Sequence, residues 1–176
     1  MEGFIQLLEE PEERAIWDRV YEELQFRPSV RENGPAFQVP EPWVVHGLPY
    51  FPIDEQYEAF EAAARETLAA SLGEDDWIYA LDWHHSGFRY DPRQPITGHS
   101  FWVEDRRYSG GGYNAYFPDF YPDGDYYFFV QRELNWGWLG HPWRREIWLY
   151  GEPLVSLLSP RLEALGFPAK RTPKKE

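Results

Sequence analysis

The chain has 176 residues, enough for one domain with a substantial core, since a domain of this size buries roughly 70% of the surface its unfolded chain exposes. It contains no cysteine, which excludes a disulfide framework, a zinc-thiolate site and a cysteine nucleophile. Its formal net charge of −13 repels nucleic acid, acidic lipid and phosphate-rich ligands and favours a basic partner.

The opening MEGFIQLLEEPEER has neither a basic n-region nor a long apolar core, so no signal peptide is expected. No apolar run approaches the length of a bilayer span. A soluble cytoplasmic protein without membrane or nucleic-acid partners is the expectation. Aromatic residues make up 19% of the chain and Met occurs once, so rigid rings with Leu, Ile and Val must build the core.

The first helix is expected to start at Pro11, with acidic residues in its first turn. Trp17, Val20, Tyr21 and Leu24 form its apolar face, and Pro28 marks its end. Residues 27–53 are rich in Pro and Gly. Short extended pieces are expected at Phe37–Val39 and Trp43–His46, brief or at a sheet edge because proline cannot donate to a ladder. Asp54 suits an N-cap for a second helix, with Tyr57, Phe60, Ala64, Leu68 and Ser71 on one face and Gly73 as its left-handed end.

Trp77–Trp83 is apolar on both faces and reads as a central strand. Strands are also expected at Gly87–Tyr90 and Ser100–Glu104, and SGGGYN (Ser109–Asn114) as a flexible loop. Asp125–Gln131 and Arg145–Tyr150 flank a Gly- and Trp-rich segment and read as a hairpin whose tip is Trp136–His141. Pro153 opens a last helical stretch, Pro160 interrupts it with Ser159 as a new N-cap, and Gly166 closes it. The tail from 169 to 176 carries every lysine (Lys170, Lys174 and Lys175) and suggests a disordered basic end after a single domain over 1–168. Strands in series with few helices imply an α+β fold, an antiparallel sheet with helices packed mainly on one face. There is no internal repeat.

Four constellations could carry chemistry. Asp82 and His84 would share a face of the strand at period two, where a carboxylate can orient an imidazole. Asp125 or His141 from a neighbouring strand would complete a three-ligand metal set. No metal spacing such as HExxH occurs, however, and a hydrogen-bonded structural pair is the favoured reading, so no metal, cofactor or catalytic residue is assigned. Asp119, Asp123 and Asp125 resemble part of a calcium loop, but the twelfth position from Asp119 is Val130 and from Asp123 is Leu134, where the pattern needs Glu. Pro122-Asp123-Gly124 is turn chemistry. SGGGYN lacks the Lys-Ser/Thr of a phosphate loop. Gly140-His141-Pro142-Trp143 reads as a rigid corner, with Gly140 free to take a positive φ, Pro142 fixing its own φ, and Trp143 entering the next strand.

GDYYFF, then GWLGHPW, then an apolar strand ending in YG, preceded by ALDWHHSGFRY, resembles an uncharacterised bacterial domain family with a GDYY…GHPW…YG tail. These motifs cover Trp77–Gly151. The resemblance implies a bacterial single-domain protein and supplies no activity.

Two functions remain in view. The first is a non-enzymatic acidic module that binds a basic protein partner, as toxin-neutralising immunity proteins do. The second is a small-molecule or carbohydrate binder, even an enzyme, with an aromatic cleft bearing Asp and His. Candidate binding residues are Asp82, His84, Asp125, Trp136, Trp138, His141 and Trp143. The sequence gives no oligomeric state. An exposed aromatic patch rimmed by acids would favour the first function, and a concave pocket with converging polar groups the second.

Overall fold

A computed structural model describes residues 5–29, 36–50, 52–94, 101–107 and 113–174. The described residues form three helices and ten strands in an α+β domain. The chain runs β1 (Ile5–Leu7), α1 (Glu10–Glu23), β2 (Trp43–Gly47), α2 (Asp54–Ala70), β3 (Ile78–Asp82) and β4 (Phe88–Tyr90). It continues through β5 (Trp102–Asp105), β6 (Tyr113–Tyr116), β7 (Tyr127–Gln131), β8 (Gly137–His141), β9 (Glu146–Tyr150), α3 (Glu152–Ala164) and β10 (Ala169–Arg171). Eight strands make one antiparallel sheet in the order β1-β4-β3-β7-β8-β9-β2-β10, and β5 pairs β6 separately.

Two of the three helices lie on one face of the large sheet. Phe60, Ala64 and Leu68 of α2, and Leu154, Leu158 and Leu162 of α3, pack on Ile78, Ala80, Phe129, Trp138, Ile147 and Leu149. On the other face, Ile16 and Val20 of α1, with Leu24, Phe26 and Phe37, cover Leu81, Phe128, Val130 and Leu139. Strand alternation sorts the residues between these layers: Trp138 faces α2 while Leu139 faces α1.

Acidic residues of α1 do more than complement its dipole. Glu12 accepts two hydrogen bonds from Arg89 at 2.7 Å each, and Glu13 pairs with Arg107. These pairs tie the helix to β4 and to the segment after β5.

The segment from Asp125 to Tyr150 departs from the hairpin expectation. It is a three-strand meander, in which β7 pairs β8 and β8 pairs β9. The supposed tip is itself β8, a central strand with every residue buried. Its glycines are packing positions. A Cβ on Gly137 would sit 2.7 Å from Val130 Cγ1, and one on Gly140 would sit 2.9 Å from Pro122 Cβ. Neither has a positive φ; the left-handed residues nearby are Leu134 (φ 59) and Arg145 (φ 49), which turn the chain at the two ends of β8. Trp143 accordingly lies in the second turn and not in β9.

Other differences are local. Pro160 lies inside an unbroken α3, because burying Leu154, Leu158 and Leu162 at about 1.5–3 kcal/mol each outweighs a proline cost of about 3 kcal/mol. Gly166 closes α3 as expected, at φ 89, with its N–H on Glu163 O and the Phe167 N–H on Leu162 O. Asp54 is the first helical residue and Ile53 the cap, and α2 ends at Ala70 with the Ser71 hydroxyl on Thr67 O, ahead of Gly73. α1 stops at Glu23, well before Pro28, where Gln25 reverses the chain at φ 48. Part of the basic tail is ordered: Ala169–Arg171 pairs with β2, which is therefore one strand in from the edge. Phe37–Val39 forms no strand, and His99, Ser100 and Ser109–Gly112 lie outside the described residues. No described helix is long and apolar enough to cross a membrane.

Candidate functional site

The meander fixes which polar groups meet. Asp82 at the end of β3 faces Tyr127 at the start of β7, Tyr127 faces Gly140 near the end of β8, and His141 faces Glu146 at the start of β9. Gly47, closing β2, pairs with Glu146. One end of the sheet therefore gathers the segments Asp82–Ser86, Asp119–Asp125, Pro142–Arg145 and Gly47–Tyr50.

Of the residues singled out from sequence, Asp82, His84 and Asp125 come together here, joined by His85. His84 Nδ1 lies 2.6 Å from Asp125 Oδ2, and His85 Nδ1 lies 2.9 Å from Asp82 Oδ1. β3 stops at Asp82, so His84 belongs to a turn and reaches Asp125, while His85 takes the place beside Asp82. Both carboxylates are buried, at 8% and 6% exposure, while both imidazoles are exposed. Burial first, with the nearby Asp125 charge opposed by the His85 contacts, raises the Asp82 pKa. The turn is anchored from below: the Ser86 hydroxyl donates to buried Asp105 at 2.9 Å, and Arg107 holds the Asp105 carboxyl down at about 2.

Trp136, Trp138 and His141 do not join this cluster. Trp138 is fully buried against Phe60 and Phe120, and Trp136 is buried too. His141 is fully buried beneath Trp143 and beside Tyr126. Its Nε2 lies 3.3 Å from the Tyr126 hydroxyl, and its Nδ1 accepts the Arg144 N–H at 3.3 Å. Burial, then the Arg144 charge, lowers its pKa to about 4, so the ring is a neutral structural group at neutral pH.

Beside the Asp/His cluster is a cleft of about 560 Å³. Tyr50, Tyr57, Tyr121 and Trp143 supply aromatic surface, and Asp119 and Asp123 supply charge. The Arg145 guanidinium lies 3.1 Å from the centroid of the Tyr50 ring. Its left-handed backbone, at the tight turn after Pro142, aims the side chain there. The carboxylates act as a group. Tyr127, whose hydroxyl donates to Asp123 O at 2.7 Å, has its pKa raised by burial and by Asp82, Asp119, Asp123 and Asp125 together. Tyr121 is pushed up to about 12 by burial and Asp123.

Sequence reasoning singled out Trp143 but missed Tyr50, Tyr57, Tyr121 and Arg145 as neighbours. Asp119 and Asp123 fail as a calcium loop yet line the cleft. The usable signal was the clustering of acids and rings in PDFYPDGDYY, whatever its failure as a metal loop.

Comparison with known proteins places these residues within a family. The curated protein "Uncharacterized protein YxiI" of Bacillus subtilis (strain 168) is 31% identical over 98 residues, 56% of this chain and 53% of that protein. The chain thus spans about half the length of the curated relative it matches. No solved structure matches. The model of the family described as "Protein of unknown function (DUF2716)" matches residues 7–155, which take in both the Asp/His cluster and the cleft, and the chain belongs to that family.

Proposed function

We propose that this protein is a non-enzymatic binding module for a basic protein partner, and that the acid-rimmed aromatic cleft takes an arginine or lysine side chain of that partner. One observation carries the reading: Arg145 already stacks its guanidinium on Tyr50 at the cleft mouth, so the chain itself demonstrates the cation–ring chemistry. Asp119 and Asp123 supply charge beside the rings, as a carboxylate rim does for a guanidinium. Tyr50 and Ile53 are 70% and 68% exposed near this mouth, which suits a partner surface as well as a single side chain. The net charge of −13 would speed encounter with a basic protein, and the rings would hold it. A binder of small cationic molecules is the second reading, favoured by the concavity of the same cleft.

Isothermal titration with an arginine-rich decapeptide tests the assignment. Exposed ion pairs and cation–ring contacts contribute about 0.5–1 kcal/mol each. Replacing Asp119 and Asp123 together by Asn should therefore weaken binding roughly tenfold. Affinity should also fall as salt rises, chiefly through association rate. Equal binding by the double variant would sink the reading. A low-salt pull-down that returns no basic protein would count against a protein partner and leave the small cation.

A further inference from the structure

Asp82, His85 and Asp125 each offer one ligand atom, and these atoms all lie within 4.8 Å of one another. We propose that this cluster is a binding site for a divalent transition-metal ion, zinc foremost, with Asp82, His85 and Asp125 as ligands and His84 orienting Asp125.

The donor chemistry points to this class of ion. Two carboxylate oxygens and one imidazole nitrogen form a mixed O/N set, which suits zinc and its neighbours over calcium or magnesium, ions that favour all-oxygen shells. Three protein ligands leave positions open. The pocket beside two of them is about 380 Å³ and is lined by Asp82 and His85 with Tyr113, Asn114 and Tyr116. It has room for the water or substrate group that would complete a tetrahedron.

Charge balance points the same way. Asp82 and Asp125 are both more than nine-tenths buried, and such closely placed carboxylates repel. Among the described residues, their ion-pair partners are the two histidines, with no lysine or arginine paired to either. A dication would neutralise both carboxylates. The second shell is also present: His84 bonds Asp125 at 2.6 Å, and the Tyr126 N–H donates to the other Asp125 oxygen at 2.7 Å. Such contacts fix a ligating carboxylate in orientation. His85 sits on a turn whose next residue, Ser86, is pinned to Asp105, so the imidazole is held by the fold rather than by a free loop.

The site is separate from the cation–ring cleft and stands or falls apart from it. Titration calorimetry with zinc chloride, cobalt absorption spectra and thermal melts provide the test. Zinc should bind one ion per chain and raise the melting temperature. Cobalt should give the visible bands of a mixed N/O site. Asp82→Asn, Asp125→Asn and His85→Ala should each weaken zinc binding at least about tenfold, while Asp123→Asn, a neighbouring acid outside the cluster, should not. Calcium should bind at least about tenfold more weakly than zinc. His85 is exposed, so His85→Ala remains informative if an aspartate variant fails to fold. The proposal is overturned if zinc does not saturate at one ion, if calcium binds as well as zinc, or if folded His85→Ala binds zinc like the native chain. A native chain that binds zinc but not the arginine-rich peptide would fault the cleft alone.

Discussion

Two regions of this molecule attract notice for opposite reasons. The strand β8, with its neighbour Trp136, concentrates large rings and glycine, and all of it is buried. The sheet end formed by Asp82–His85 and Asp119–Asp125 mixes rings with acids, and it leaves two buried carboxylates balanced only by imidazoles among the described residues. The contrast shows that a crowd of rings is cheap to explain by packing, because burial stabilises it directly. Buried charge is costly to leave uncompensated, so it is the better guide to a ligand.

The comparison breaks first at Trp138. Trp138→Ala should lower stability by about 3–5 kcal/mol, because it empties a fully buried site between Phe60 and Phe120. Chemical denaturation measures this, and peptide binding by the folded variant should be unchanged.

His141 gives the next largest effect. Its folded-state pKa of about 4 lies below the usual 6.5, so between those values the unfolded chain holds more protons. The stability gained by keeping it neutral is full above pH 6.5 and is lost as pH falls through about 4, a drain of roughly 3 kcal/mol. His46, also lowered by burial, adds in the same direction. Melts across pH 7 to 4 should show a flatter decline in His141→Gln than in the native chain.

A smaller loss, about 1–3 kcal/mol, is expected for Gly140→Ala, whose new methyl would meet Pro122. If Gly140→Ala were neutral, the account of these glycines as packing positions would fail. At the sheet end the expectation reverses. Asp123 is exposed, and Asp123→Asn should change stability by no more than about 0.5 kcal/mol while weakening the arginine-rich peptide.

Much of the architecture was legible in sequence, because it follows from periodicity. The apolar face of α2, the double-sided burial of β3 and the glycine stop after α3 all appear where the residues put them. The meander was not legible, because WGWLGH mixes a turn signal with strand-forming rings. Glycine at positions 137 and 140 looks like a turn when seen alone. Its reason is the closeness of Val130 and Pro122 across the sheet, which is visible only once the strands are paired. β1 and β6, of three and four residues, were too short to show a period. The site was half legible. Asp82, His84 and Asp125 were named, but the exchange of His84 for His85 beside Asp82 depends on where β3 stops. Arg145 on Tyr50 depends on a left-handed residue that sequence gave no reason to expect.

The most direct measurement follows the indole N–H resonances of Trp143 and Trp138 while the arginine-rich peptide is added. Trp143 lines the cleft and Trp138 lies in the core. The Trp143 signal should move saturably, with a midpoint that rises with salt, while the Trp138 signal stays in place. A shift at Trp138 with Trp143 unmoved would return the function to the tryptophan strand and contradict the assignment to the sheet end.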